Sequence, residues 1–467
     1  MNIVTMTIWT PEVVENRGPI YLAIADAIAD DVARGRLEAR TRLPTHRDLA
    51  YRLGVTVGTI TRAYAEAERR GLVYGEVGRG TFVRGQVTGD ATHFISGVEP
   101  APDRIDLTLN FAFGPQRDQA ISRTMAEFAR RPDMSRYLGY LPHRGLPEHR
   151  ATAAQWVQKQ GLELDPEQII VTSGGQHAMM TVFSALCRPG DVVLCEHLTY
   201  AGMKALANHL ELRLHGVAID QHGLVPTAFD AAIRATHARI AYVQPTMQNP
   251  TGRMMPEARR REIAEIARQH GVILVEDDVY GPLTSQRVPP IASIAPDNTI
   301  YLTSTSKCMA PGLRIGYLAA PKSMIERLGL PVRATVWMAP PIEAEIARQW
   351  MTDGTVDRII AELRIESTQR QAMASNILGI NTSGHDGCFL IWMPLPRGWR
   401  VGEFVAECSR QGVDISGADS FAVEPLPIPE AVRLCVGAPP TRAILEKGLH
   451  VVRSVLQSAP GRNLSVV

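Results

Sequence analysis

Between residues 168 and 318, short apolar runs alternate with helical patterns, and this alternation restricts the fold more than any other feature of the chain. The runs fall at 168–171, 192–196, 239–244, 272–276, 299–303 and 313–318, with helical stretches such as 256–270 between them. Such alternation predicts an α/β fold: a mostly parallel sheet with helices on both faces. In open sheets of this kind a ligand binds beyond the carboxyl ends of the strands. Chemistry-bearing motifs follow Val171, Glu196, Gln244, Glu276 and Thr303. Five motifs on one sheet edge say more than any one of them. Beyond about residue 321 the mixed pattern predicts a smaller C-terminal subdomain.

The last of these motifs is the most specific. In YLTSTSKCMAPGLRIGY, residues 301–317, Lys307 follows Ser304 and Ser306, and Arg314 comes seven residues later. An amine able to form a Schiff base thus sits beside hydroxyls and a guanidinium able to hold a phosphate. That set suits pyridoxal phosphate. Lysine is scarce, at positions 159, 204, 307, 322 and 447 only. A solvated loop lysine is the plain alternative, and the company of Ser304, Ser306 and Arg314 weighs against it.

A separate unit precedes the alternation, over residues 17–84. Ile20, Ile24 and Ile28, flanked by Ala23 and Ala27, mark one face of a helix ending at Gly35. Thr45 caps a second helix, with Leu49, Ala50 and Leu53 inward, and Gly54-Val55 makes a tight turn. Thr56 caps a third, whose Ile60, Ala63, Tyr64 and Ala67 recur at helical spacing. Two helices joined by a short glycine turn predict a helix-turn-helix, and LVYGEVGRGTFV after it reads as a hairpin wing. From Arg42 to Arg84 there are eight arginines and four acids, net +4, in a chain whose overall charge is +1. This local basic footprint points to nucleic acid rather than to a chain-wide polyelectrolyte partner. Residues 85–104, rich in Gly, Pro and polar side chains, read as a linker.

Six scattered cysteines without CxxC spacing fit a reducing compartment and no zinc site. The first residues lack a secretory pattern, and no apolar run spans a bilayer, so the expectation is a cytoplasmic protein without membrane or metal.

From residue 105 to 460 the chain resembles fold-type I pyridoxal-phosphate enzymes, the class I aminotransferases. The resemblance implies that Lys307 forms the Schiff base and that Ser304, Ser306 and Arg314 hold the phosphate. In VEDDVY, Asp277 would pair with the pyridine nitrogen and Tyr280 would donate to the ring's phenolic oxygen. Asn249 of QNPTG would bond the same oxygen. Gly175 and Gln176 of TSGGQHAM would offer backbone N–H groups to the phosphate at a helix N-terminus. Tyr200 of EHLTYAG would stack on the ring, and Tyr140 of GYLPHRG would reach the phosphate of a neighbouring subunit. Arg433 of VRLCVG would clamp a substrate α-carboxylate. Cys308-Met309 stands where the family more often has Thr-Leu. LCVGAPP after Arg433 is less polar than in many transaminases.

The N-terminal unit resembles the winged helix-turn-helix of GntR-type repressors, which implies DNA contacts from Arg47, Thr56, Thr59 and Arg62, and from Arg79 at the wing tip. Val57-Gly58 departs from the polar residues common there. The two parts together resemble the MocR subgroup, in which an aminotransferase-like domain acts as a sensor and dimers are commonly domain-swapped. Two functions stay open on this basis. One is a transcriptional regulator that senses pyridoxal phosphate or an amino compound and binds a double-stranded operator. The other is an active aminotransferase with an accessory DNA-binding domain; the residues for a first half-reaction, Lys307, Asp277 and Arg433, are all present.

Overall fold

In the computed structural model the described residues are 9–11, 19–33, 36–37, 41–69, 72–76, 80–83, 104–110, 116–381 and 385–458. The chain divides into two compact units, 1–94 and 95–467.

The first unit contains helices Ile20–Ala33, His46–Leu53 and Val57–Arg69, then the antiparallel strands Val73–Glu76 and Gly80–Val83. Local chemistry sets these limits. Thr45 Oγ1 accepts the Asp48 N–H at 3.2 Å, and Thr56 Oγ1 accepts that of Thr59 at 3.2 Å, so each helix opens on a side-chain cap. Gly54 closes the second helix at φ +65°, where a residue with a Cβ is strained. Ile24, Ile28, Leu49, Ile60, Ala63, Tyr64, Ala67, Val73 and Val83 form one buried core. The Tyr64 hydroxyl donates to the Pro44 carbonyl at 2.9 Å and so ties the third helix to the segment before the second. Ile20, expected inside, is 42% exposed because it starts its helix one turn beyond the core. The end of that helix at Gly35, and Arg79 at the wing tip, lie outside the described residues.

The second unit is built on a seven-stranded sheet. Its order is Ile169–Thr172, Gly316–Ala319, Thr299–Ser304, Ile273–Asp277, Ile240–Val243, Val192–Glu196 and Arg213–Val217. Only Gly316–Ala319 runs against its neighbours. Strand alternation sends side chains to opposite faces. Val193, Cys195, Tyr242 and Val275 join a core with helices Gly175–Leu186, Ala201–His209 and Lys322–Thr335. Leu194, Ala241, Val243 and Leu274 join another with Pro226–Thr236 and Glu257–His270. Six strands match the runs read from sequence. The sixth begins later than expected, because Pro311–Leu313 forms a 3₁₀ turn and Arg314 takes a left-handed conformation (φ +50°). The seventh, Arg213–Val217, was not foreseen; it is an edge strand whose first residues face solvent.

A smaller antiparallel sheet orders Leu390–Pro394, Ala431–Cys435 and Ser416–Gly417. Arg433 lies on its central strand, between Trp392 and Ser416 in register. Among the described residues no helix is long and apolar enough to cross a membrane.

Candidate functional site: a lysine, a carboxylate and a phosphate cup

Lys307 sits in a short helix, Thr305–Cys308, at the carboxyl end of the Thr299–Ser304 strand. Its Nζ donates to the Asn110 carbonyl and lies 6.0 Å from the centre of the Tyr280 ring. Burial disfavours the ammonium and lowers its pKa to about 8; nearby Arg433 and Arg314 act in the same direction. Of the other four lysines, Lys159 and Lys322 pair with Asp357 and Asp165, and Lys204 donates to the Asp419 carbonyl. Cys308 and Met309, which replace the commoner Thr-Leu, are fully buried behind Lys307.

Asp277 ends the neighbouring Ile273–Asp277 strand and is buried. Its Oδ2 accepts from the Tyr242 hydroxyl at 2.5 Å and from Gln244 Nε2 at 3.1 Å. Burial raises its pKa to about 6, while the bonds from Tyr242, Val279 N–H and Gln244 pull it back. A cationic partner would therefore favour its ionised form further. Tyr280 is buried and accepts from Asn110 Nδ2. Burial holds its hydroxyl protonated, so it keeps a proton to donate.

A cup forms where the Ile169–Thr172 strand meets the Gly175–Leu186 helix. The first helical bond runs from Ala178 N–H to the Gly174 carbonyl at 3.0 Å. The N–H groups of Gly175, Gln176 and His177 precede it and have no partner within the helix. The Arg314 guanidinium lies across this turn, 3.5 Å from the Ser173 carbonyl. A Cβ on Gly174, at φ +88°, would stand 2.7 Å from Arg314 Nη2. A Cβ on Gly175 would meet Ser304 Oγ at 3.6 Å, and Ser304 Oγ also accepts from Ser306 N–H at 3.4 Å. The lysine motif and the glycine turn, some 130 residues apart in sequence, thus close one space too narrow for side chains at 174.

Tyr200 caps the Ala201–His209 helix, with its ring 2.4 Å from where a Gly202 Cβ would stand. Burial raises its pKa first; Asp277 adds to the shift while Arg314 and Arg433 oppose it, which places the hydroxyl within their fields. Asn249 is buried, and its Oδ1 accepts from Arg433 Nη1 at 2.9 Å. Arg433 Nη2 donates to Ser416 Oγ at 3.2 Å and to the Thr108 carbonyl, and its guanidinium stands over the Phe421 ring at 4.6 Å. Tyr140 is not brought to this site in its own chain: it is 85% exposed and leans on Trp337, 5.5 Å between centres.

Buried polar atoms here without a hydrogen-bond partner among the described residues include Gln176 Oε1, Glu196 Oε2, Gln244 Oε1 and Arg433 Nε. Unsatisfied buried groups at one place point to a ligand. A lysine amine, a strand-end carboxylate, a glycine cup under an arginine and a spare guanidinium N–H match, group for group, the aldehyde, ring nitrogen, phosphate and carboxylate partners of pyridoxal-phosphate chemistry. Among the described residues no cluster has the donors to hold a metal.

Sequence reasoning missed Asn110, Thr108, Tyr242, Gln244 and Glu196. Polar residues ending apolar strands at the ligand edge, as Glu196 and Gln244 do, were a usable signal. Asn110 had none, since its partners are 170 and 197 residues away.

In the N-terminal unit Arg47, Thr56 and Arg62 are exposed and Thr59 half-exposed. The Thr56 and Thr59 hydroxyls bond each other at 2.9 Å.

These features define a pyridoxal-phosphate-type aminotransferase unit preceded by a winged helix-turn-helix. The family described as aminotransferase class I and II matches residues 102–452, and that described as bacterial regulatory proteins, gntR family, matches residues 20–83. The chain belongs to the class I and II aminotransferase family, whose members of this fold depend on pyridoxal phosphate, and it carries a GntR domain in the MocR-type arrangement. The uncharacterized HTH-type transcriptional regulator YdeF of Bacillus subtilis is 27% identical over 457 residues, 96% of each chain. The pyridoxine biosynthesis transcriptional regulator PdxR of Corynebacterium glutamicum is 27% identical over 363 residues, 74% of this chain and 76% of PdxR. A kynurenine aminotransferase of Pyrococcus horikoshii shares the fold, with a TM-score of 0.71 at 22% identity over 80% of this chain and 95% of that one.

Proposed function

We propose that this protein is a DNA-binding transcriptional regulator whose aminotransferase-like unit binds pyridoxal phosphate and senses the cofactor or an amino compound. One observation carries the reading: a lysine, carboxylate and glycine-cup constellation suited to the cofactor shares its chain with a capped recognition helix that leaves Arg47 and Arg62 exposed for DNA. A metabolic enzyme has no use for the second. The full-length likeness to YdeF and the likeness to PdxR support it.

When bound, pyridoxal phosphate supplies an aldehyde for amines and a ring that withdraws electrons. Lys307, with its lowered proton affinity, would give the amine that fixes it. Asp277, oriented by Tyr242 and Gln244, would hold a proton at the ring nitrogen. Asn249 and Tyr280 would face the phenolic oxygen. Ser304, Ser306, Arg314 and the N–H groups of Gly175 and Gln176 would carry the phosphate, and Tyr200 would cover the ring. Arg433, held by Asn249 and Ser416, would receive an effector's carboxylate. In a domain-swapped homodimer Tyr140 of one subunit would reach the other's phosphate cup. In DNA, Arg47, Thr56, Thr59, Arg62 and Arg79 would divide between phosphate and base contacts.

The same residues would support transamination, which is the second reading; the intact Lys307, Asp277 and Arg433 favour it. Steady-state turnover with amino and keto acids, run beside binding to the gene's upstream DNA, separates the two. Slow or absent turnover with specific, cofactor-dependent DNA binding is expected. Fast turnover without specific DNA affinity would contradict the regulator.

A further inference from the structure

Three adjacent strands of the large sheet end in, or lead directly into, polar side chains that form a chain. Val192–Glu196, Ile240–Val243 and Ile273–Asp277 are neighbours, and they place Glu196, Gln244 and Asp277 side by side at the ligand edge. Gln244 links the other two: its N–H donates to Glu196 Oε1 at 3.1 Å and its Nε2 to Asp277 Oδ2 at 3.1 Å. Glu196 is fully buried. Its Oε2 has no hydrogen-bond partner among the described residues, nor has Gln244 Oε1. Both are buried acceptors with no donor. A protonated Glu196 converts one of them into a donor, whereas an ionised one leaves a buried charge without a countercharge.

Building on the site reading above, we propose that Glu196 is a positioning residue: uncharged, it adds no negative charge to that of Asp277 behind the cofactor ring, and on ionising it sets a further one a single side chain away. The surroundings agree. Burial pushes Glu196 up to about 8; Asp277 adds to this, and only the N–H bonds oppose it. The other titratable groups facing it are Tyr242 on the neighbouring strand and Cys195 on its own, and burial holds both protonated. Lys204, on the Ala201–His209 helix, acts on Cys195, and the edge strand presents Val217 opposite Glu196.

The sign for stability follows. A carboxyl whose folded pKa is raised binds its proton more tightly when folded, so its contribution is full at low pH. That contribution is lost as pH rises from the unfolded value of 4.5 through about 8.

The test is a pH titration of the bound cofactor's absorbance in wild type and Glu196→Gln, with urea unfolding of both cofactor-free proteins over the same range. The two absorbance profiles should coincide at pH 6.5 or so and separate above about 8. The cofactor-free wild type should lose more stability than the variant between these limits. Profiles that overlay throughout would overturn the proposal. Should Glu196→Gln not fold, the wild type decides alone, because a flat profile across pH 8 overturns it without a variant. Failure of the site reading looks different: the wild type would then bind no pyridoxal phosphate at all.

Discussion

At Lys307 the chemistry depends on burial as much as on residue type. Removing the amine from water lowers its pKa to about 8, so a sizeable neutral fraction exists near physiological pH. Lys307→Ala should leave the fold intact by circular dichroism and abolish the visible absorbance of bound pyridoxal phosphate; a surviving chromophore would show the wrong lysine. Arg433 is positioned by Asn249, Ser416 and Phe421. Charge-assisted bonds of this kind contribute about 1.5–3 kcal/mol. Arg433→Leu should therefore weaken carboxylate-bearing effectors roughly tenfold to a hundredfold while leaving amines without a carboxylate nearly unaffected, measured by absorbance titration. Lys307, Asp277 and Arg314 were legible because each lies inside a short motif. Asn110 and Tyr242 were not, because their meaning comes from partners the fold supplies across the sheet.

The elements hold these residues by backbone conformation. Gly174 adopts φ +88° and ψ 171° beneath Arg314, a conformation nearly restricted to glycine. Gly174→Ala should cost about 1–3 kcal/mol and displace the guanidinium, lowering pyridoxal-phosphate affinity about tenfold or more in equilibrium dialysis. Unchanged affinity would remove the cup from the account. In the other unit, Thr56→Ala deletes a cap worth about 1 kcal/mol and leaves the Thr59 N–H only its bond to the Thr56 carbonyl at 3.0 Å. Thermal unfolding should register the lower stability of that unit, and DNA affinity should fall with it. Strands buried on both faces could be read directly, since they are nearly continuous apolar runs. Arg213–Val217 could not, because an edge strand shares its mixed composition with loops. The delayed start of Gly316–Ala319 was hidden because Leu313, though apolar, belongs to a 3₁₀ turn that aims Arg314 at the cup.

At the scale of the whole molecule, a cofactor site and a DNA-binding unit on one chain have a functional link only if a ligand's affinity differs between DNA-bound and free protein. Arg47 is exposed and close to the capped start of its helix. Arg47→Ala should reduce DNA affinity and lower the slope of log affinity against log salt by about one. The domain order was legible from composition and periodicity, but the coupling was not, since it is a property of two states and a sequence describes neither. The decisive measurement is the affinity of wild type and Lys307→Ala for upstream DNA, each with and without pyridoxal phosphate and a panel of amino acids. A cofactor- or amine-dependent change in wild type that Lys307→Ala lacks is the predicted result. Equal DNA affinity under every condition in both proteins would contradict the regulator.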